Sequence, residues 1–185
     1  MAKTSGGNRS GSNSTKALAI FENKIRSQRF ESAAVIDSRG RTLFSKNGGK
    51  TSVYFSRDEI MKMENNIITH NHPSGNTNRY RIGSSFSFED LAMAASANAS
   101  QIRAVAGKIT YSMKRPKKGW GATPKTIQKV YNQANINTAK KLQRYIDNYR
   151  GNPDIAIQRA NTLHYHLVSK EVAKVLRWNY SKASK

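Results

Sequence analysis

The sequence predicts an α/β fold of the α+β kind: a mixed β-sheet flanked by helices, followed by a basic helical stretch. Two observations carry this expectation. Short apolar runs bounded by glycine, serine and asparagine alternate with amphipathic segments in the order helix, strands, helix, strand, helix, strands. That order is not a regular βαβ repeat. Beyond residue 116 the pattern changes to long apolar stripes at helical spacing, faced by lysines.

Residues 1–16 hold no large apolar side chain after Met1 and read as a flexible, basic Gly/Ser/Asn-rich tail. Leu18, Phe21 and Ile25 then fall near helical spacing and predict a short amphipathic helix over 17–26. Residues 32–37 read as a mostly buried strand. Gly40 supplies the turn, and residues 42–45 return as the second arm of a hairpin, closed by Gly48 and Gly49. Residues 52–55 read as another short strand. Ser56 before Arg57, Asp58 and Glu59 is a helix-start signal, with the helix running to about Asn65.

A short apolar strand over 66–69 delivers His70 and His72, and a loop over 76–85 carries Arg79, Tyr80 and Arg81. Residues 88–100, with Leu91, Ala94 and Ala95, form a helix; 103–106 and 108–112 are strands around Gly107. A basic connector containing Lys117 and Lys118 leads to Thr123 and Pro124, a cap and a first-turn proline that start a long helix. Gly151 and Pro153 interrupt the pattern, and a last helix runs from about Asp154 to Trp178.

Charge narrows the partners. The 185 residues carry 32 Lys+Arg against 11 Asp+Glu, a net charge of +21. Such a field attracts polyanions, nucleic acid first among them. The absence of cysteine excludes a disulfide framework, a thiolate nucleophile and a Cys-ligated metal, so any metal must be held by nitrogen and oxygen. No apolar run approaches the ~20 residues of a membrane span, and none of signal-peptide length opens the chain. The expectation is no membrane partner and a cytoplasmic location.

The chemistry concentrates around two histidines. Side chains alternate along a strand, so His70 and His72 point to the same side and can reach one ion. Asp90, at the start of the following helix, is within reach as a third ligand. Two imidazoles and one carboxylate leave a tetrahedral position open on Zn²⁺, the arrangement of a catalytic rather than a structural site.

Residues 69–75, Thr-His-Asn-His-Pro-Ser-Gly, followed by Ser87-Phe-Glu-Asp90, resemble the JAMM signature of the JAB/MPN zinc metalloproteases. In that family a distant glutamate precedes H-x-H-P-x-G and then S-x-x-D. The string is most similar to the bacterial RadC branch and to the JAB domains of phage structural proteins and polymorphic toxins. The likeness extends more diffusely over 31–116.

The resemblance implies a JAB/MPN-like catalytic domain over 17–116, with 117–185 as a basic helical extension. It implies Zn²⁺ held by His70, His72 and Asp90, and Glu31 as the general base that hands a proton to the leaving amine. Ser87 becomes the hydroxyl that stabilises the oxyanion. The activity implied is that of a peptidase or isopeptidase on a protein or peptide substrate, with virion association or delivery to a host cell as further settings. The loop between His72 and Ser87 is longer than the family pattern. Arg79 and Arg81 in that loop, with Lys117 and Lys118, are candidates for substrate or nucleic-acid contact.

Plainer readings stand beside these. Ser87 and Asp90 also make an ordinary helix N-cap with an acidic first turn, and Glu31 is also a surface residue before a strand. Glu59 and Glu64 lie nearer the histidines in sequence, but on a predicted helix. His164 and His166 read as packing or surface residues. Two further functions compete: a RadC-like nucleic-acid-binding protein with the core as scaffold, and a metal-dependent nuclease.

Overall fold

A computed structural model of the chain describes residues 9–73 and 84–185. Helix α1 (Arg9–Ile25) leads into a hairpin of β1 (Ser32–Ile36) and β2 (Thr42–Asn47), which turns at Gly40 with φ of +85°. After the short α2 (Arg57–Met61), β3 (Ile67–Asn71) pairs antiparallel with β1 on its other side. Helix α3 (Phe88–Ser96) then crosses over to β4 (Gln101–Ala106), which runs parallel to β3. A parallel neighbour needs such a crossover, and the candidate site lies in it. A turn at Gly107 leads to β5 (Ile109–Lys114), antiparallel to β4. Helices α4 (Pro124–Asp147) and α5 (Pro153–Leu176) follow, and β6 (Asn179–Ser184) closes the sheet against β5.

Among the described residues, five helices and six strands form the expected α+β arrangement, with strand order β2-β1-β3-β4-β5-β6. Both faces of the sheet are covered. Ala34 and Ile36 of β1 turn towards Leu18 of α1, whereas Val35 joins Ile68, Leu91 and Ile102 in the larger core under α3, α4 and α5. Every residue of β1 is therefore buried, as in a strand covered on both sides. Glu22 of α1 is buried and accepts from Arg103 of β4 and Thr69 of β3, which ties the helix to two strands. No described helix is long and apolar enough to cross a membrane.

Three elements differ from the sequence expectation. Helix α1 starts at Arg9, whereas apolar spacing places its start at residue 17. Its early part is held by docking rather than by an apolar stripe. Ser14 is buried, and the Asn13 carbonyl oxygen lies 2.6 Å from where a Cβ on Gly40 would stand. Residues 52–55 join no ladder; they run extended beside the hairpin, with Phe55 packed edge-on against Phe44.

The stretch expected to be wholly helical over 117–185 ends in β6. That strand is polar and mostly exposed, so it carries no apolar alternation. Trp178 positions it: its indole N–H donates to the Trp120 carbonyl at 2.7 Å, and Trp120 donates to the Ala99 carbonyl at 2.8 Å.

Candidate metal centre

His70 lies in β3 between Ala33 of β1 and Ala104 of β4. The next residue but one, His72, donates its backbone N–H to the Val105 carbonyl at 2.9 Å, which continues the parallel ladder past the strand end. The two rings consequently emerge on the same face, with Nε2 atoms 2.9 Å apart. Asp90 arrives from the first turn of α3. Its Oδ1 lies 3.3 Å from His70 Nε2, and its Oδ2 lies 3.4 Å from His72 Nε2.

The donor set is close enough to hold a metal. Atoms about 2.0–2.1 Å from a tetrahedral zinc sit about 3.3–3.4 Å from one another; the two histidine–aspartate distances, each to a different carboxylate oxygen, lie near that spacing, and the Nε2–Nε2 separation of 2.9 Å is shorter. All three donor atoms lie within 4.8 Å of each other, so His70, His72 and Asp90 can hold a metal ion. The surroundings orient the donors. His72 Nδ1 donates to the Ser84 carbonyl at 2.9 Å, which turns Nε2 towards the cluster. Asp90 Oδ2 also accepts the Ser87 N–H at 2.8 Å, and Ser87 Oγ accepts the Asp90 N–H at 3.1 Å. This capping box both starts α3 and fixes the carboxylate.

A cavity of about 340 Å³ opens beside His70 and Asp90. Glu31, His70, Ser87 and Asp90 form its polar side, while Val53, Phe55, Ile68 and Met93 form its apolar side. Glu31 is fixed through its backbone. Its N–H donates to the Gly49 carbonyl at 2.8 Å, and its carbonyl accepts from Gly48 at 2.7 Å. A Cβ on Gly48 would lie 2.2 Å from the Ser52 carbonyl oxygen, so only glycine permits this close turn. Asn71, between the two histidines, faces the other way. It accepts the Ser32 N–H at 2.6 Å and donates to the Phe30 carbonyl at 2.9 Å, holding the residues on either side of Glu31.

The charges are coupled. Burial raises the Glu31 pKa above its ordinary value; His70 and His72 pull it down and Asp90 pushes it further up. Burial disfavours a charged His72 ring, but the hydrogen bond and charge of Asp90 outweigh it and push the pKa up to about 9. Burial likewise raises the Asp90 carboxyl, yet the charge of His70 and the hydrogen bonds of both rings hold it well below the carboxylate range. Asp90 is thus held anionic beside a protonated His72, whose proton a bound metal would displace, and Glu31 holds its proton more tightly than usual.

The structure thus brings Glu31, His70, Ser87 and Asp90 to one cavity, with His72 completing the donor set. Glu59 instead pairs with Lys46 at 2.8 Å and caps α2, and Glu64 accepts from Asn98; neither lines the cavity. His164 and His166 bond Asn135 and Tyr180 respectively and contribute no ligand. Lys117 and Lys118 sit on an exposed turn after β5. The register from Lys114 through Gln101 to Ile67 puts that turn at the end of the sheet opposite His70. Arg79 and Arg81 lie outside the described residues.

Sequence reasoning missed Ser84, Asn71, Glu89 at the cavity rim and the wall formed by residues 51–55. Only Asn71 had a readable signal, since its position between the histidines puts it on the opposite face of the strand. Comparison with family models, curated proteins and solved structures returns no match.

Proposed function

We propose that the chain is a zinc-dependent hydrolase of the JAMM type, a peptidase or isopeptidase that cleaves an amide bond in a protein or peptide substrate. The observation that carries this reading is the grouping of His70, His72 and Asp90 as possible metal donors, two of which, His70 and Asp90, line a cavity that also holds Glu31 and Ser87. His70, His72 and Asp90 would hold the zinc, which when bound would supply a Lewis acid for the carbonyl and lower the pKa of water from ~15.7 to about 7. Glu31 takes the proton of the attacking water and returns it to the leaving amine. Its raised pKa makes it a better proton acceptor than an ordinary carboxylate. Ser87 Oγ already accepts the Asp90 N–H, so its own hydrogen is available to donate to the developing oxyanion. Val53, Phe55 and Met93 receive an apolar part of the substrate and keep bulk water from the reacting carbonyl.

Untagged protein is expected to carry about one zinc per chain, lost in His72→Ala. Glu31→Gln is expected to keep the zinc and lose roughly 10²–10⁴-fold in amide cleavage, read by mass spectrometry on a peptide library. Absence of zinc from the wild-type protein overturns the reading; undiminished cleavage in Glu31→Gln removes that residue from its role. The net charge of +21 favours a second reading, nucleic-acid binding with the same core as scaffold. Cleavage of DNA without cleavage of peptide would replace both with a nuclease.

A further inference from the structure

A second cavity, of about 350 Å³, opens between α5 and β6, and no residue lining it lines the metal-site cavity. Lys170, Lys174 and Lys182 edge it; His166, Trp178 and Tyr180 line it with rings. A neighbouring cavity between α4 and α5, about 390 Å³, shares Lys170 and Lys174 and adds Lys141. Lys170 and Lys174 are four residues apart on α5 and so lie one turn apart on a single face. The two cavities therefore border the same face of α5, and their linings together form a track bearing four ammonium groups. Glu171 is its lone lining carboxylate, and among the described residues none of the four lysines forms an ion pair. Four like charges in one track repel one another, and a polyanion would relieve that repulsion.

The rings are held in place. His166 Nδ1 and the Tyr180 hydroxyl are 2.8 Å apart, and the hydroxyl lies 3.0 Å from Ser85 Oγ. The two ring centroids are 5.6 Å apart, with the planes tilted by 31°. Burial, then Lys182 and Lys170, lower the His166 pKa, which places both ammonium groups near a ring that stays neutral.

We propose that this lysine-edged, aromatic-lined track binds single-stranded nucleic acid, with Lys141, Lys170, Lys174 and Lys182 on successive phosphates and the His166 and Tyr180 rings against bases. A basic groove combined with aromatic faces suits unpaired strands, whose bases are free to stack. Lysines spread along two neighbouring cavities suit a run of phosphates rather than one phosphate ion. The inference is independent of the hydrolase reading, since it uses none of the residues of the metal site.

The test is fluorescence anisotropy with a labelled single-stranded DNA oligonucleotide, run on metal-stripped and zinc-loaded full-length protein. Removing Lys170, Lys174 and Lys182 together, by substitution to alanine, is expected to weaken binding at least about tenfold and reduce the salt slope by roughly 2, given about 0.7 per phosphate contact on single strands. A control removes the same charge elsewhere, at Lys24, Lys62 and Lys125, and is expected to change affinity by less than about threefold. These side chains are exposed, and circular dichroism checks that both variants fold. Equal losses in the two triple variants would mean a diffuse field and overturn the track. A duplex of the same sequence binding as tightly, or inorganic phosphate at low concentration displacing the strand, would overturn the single-stranded occupant.

Discussion

Asp37 closes the turn after β1. Its Oδ1 accepts from the Arg39 and Arg41 amides at 2.9 and 2.8 Å, and its Oδ2 pairs with Arg41 Nε at 2.7 Å. Burial by itself raises the carboxyl, but these bonds outweigh it and hold the pKa below its ordinary 3.8. A folded value below the unfolded one means a contribution to stability that is complete above the unfolded pKa and lost as pH falls through the folded one. Asp37→Asn is therefore expected to lower the urea midpoint at neutral pH, with the gap to the wild type closing as pH falls below the ordinary carboxyl range and through the lowered folded pKa. A gap that stays constant with pH would contradict the assignment. Residues of this kind also mark what a sequence can say about a site. The same-side placement of His70 and His72 is legible because strand alternation has a fixed period. The placement of Glu31 is not, because it depends on Gly48 and Gly49 turning against it and on Asn71 gripping the chain from the far face. Those contacts join residues up to 41 positions apart.

At the scale of elements, α3 does two things with one cap. Ser87 is the N-cap that accepts the Asp90 N–H, and it lines the cavity. Substitution by alanine mixes the two roles: it is expected to cost about 1 kcal/mol of stability whatever the chemistry. Glycine separates them, because it costs a cap only a few tenths of a kcal/mol and carries no side-chain donor. Under the proposed hydrolysis, Ser87→Gly should hold a melting temperature near that of the wild type while amide cleavage falls roughly 10²–10³-fold. Unchanged cleavage in that variant would leave Ser87 a cap alone. Elements whose stability is local were readable. Thr123 with Pro124 starts α4 as the sequence predicts, and Gly40 and Gly107 turn with positive φ between the hairpin arms. Elements fixed by distant partners were not. β6 has a polar sequence and owes its place to the ladder with β5 and to the Trp178–Trp120–Ala99 chain of hydrogen bonds. Residues 52–55 have a strand-like composition, yet they find no partner strand and become a wall of the cavity.

For the whole molecule the governing quantity is uncompensated charge. With 32 basic and 11 acidic side chains, the described residues contain three Lys/Arg–carboxylate ion pairs: Arg41–Asp37, Lys46–Glu59 and Arg103–Glu22. Most cations thus feel other cations more than anions, and folding gathers them closer than the unfolded chain does. Salt acts on that repulsion directly, since the Debye length shrinks from about 30 Å at 0.01 M to about 3 Å at 1 M. The three ion pairs respond in the opposite sense. Arg103–Glu22, the most enclosed, is screened least, and exposed pairs of this kind contribute only ~0–1 kcal/mol each. Repulsion should prevail. If screening recovers about 1–2 kcal/mol, a chain of this size gains roughly 2–8 °C in melting temperature. The expected result is a Tm that rises steadily with sodium chloride, with a comparable gain at low salt on adding a short polyanion at micromolar concentration, which binds the folded basic surface by mass action. A Tm that falls as chloride is added would mean that the few ion pairs outweigh the excess charge, and the polyanion would then have no repulsion to relieve.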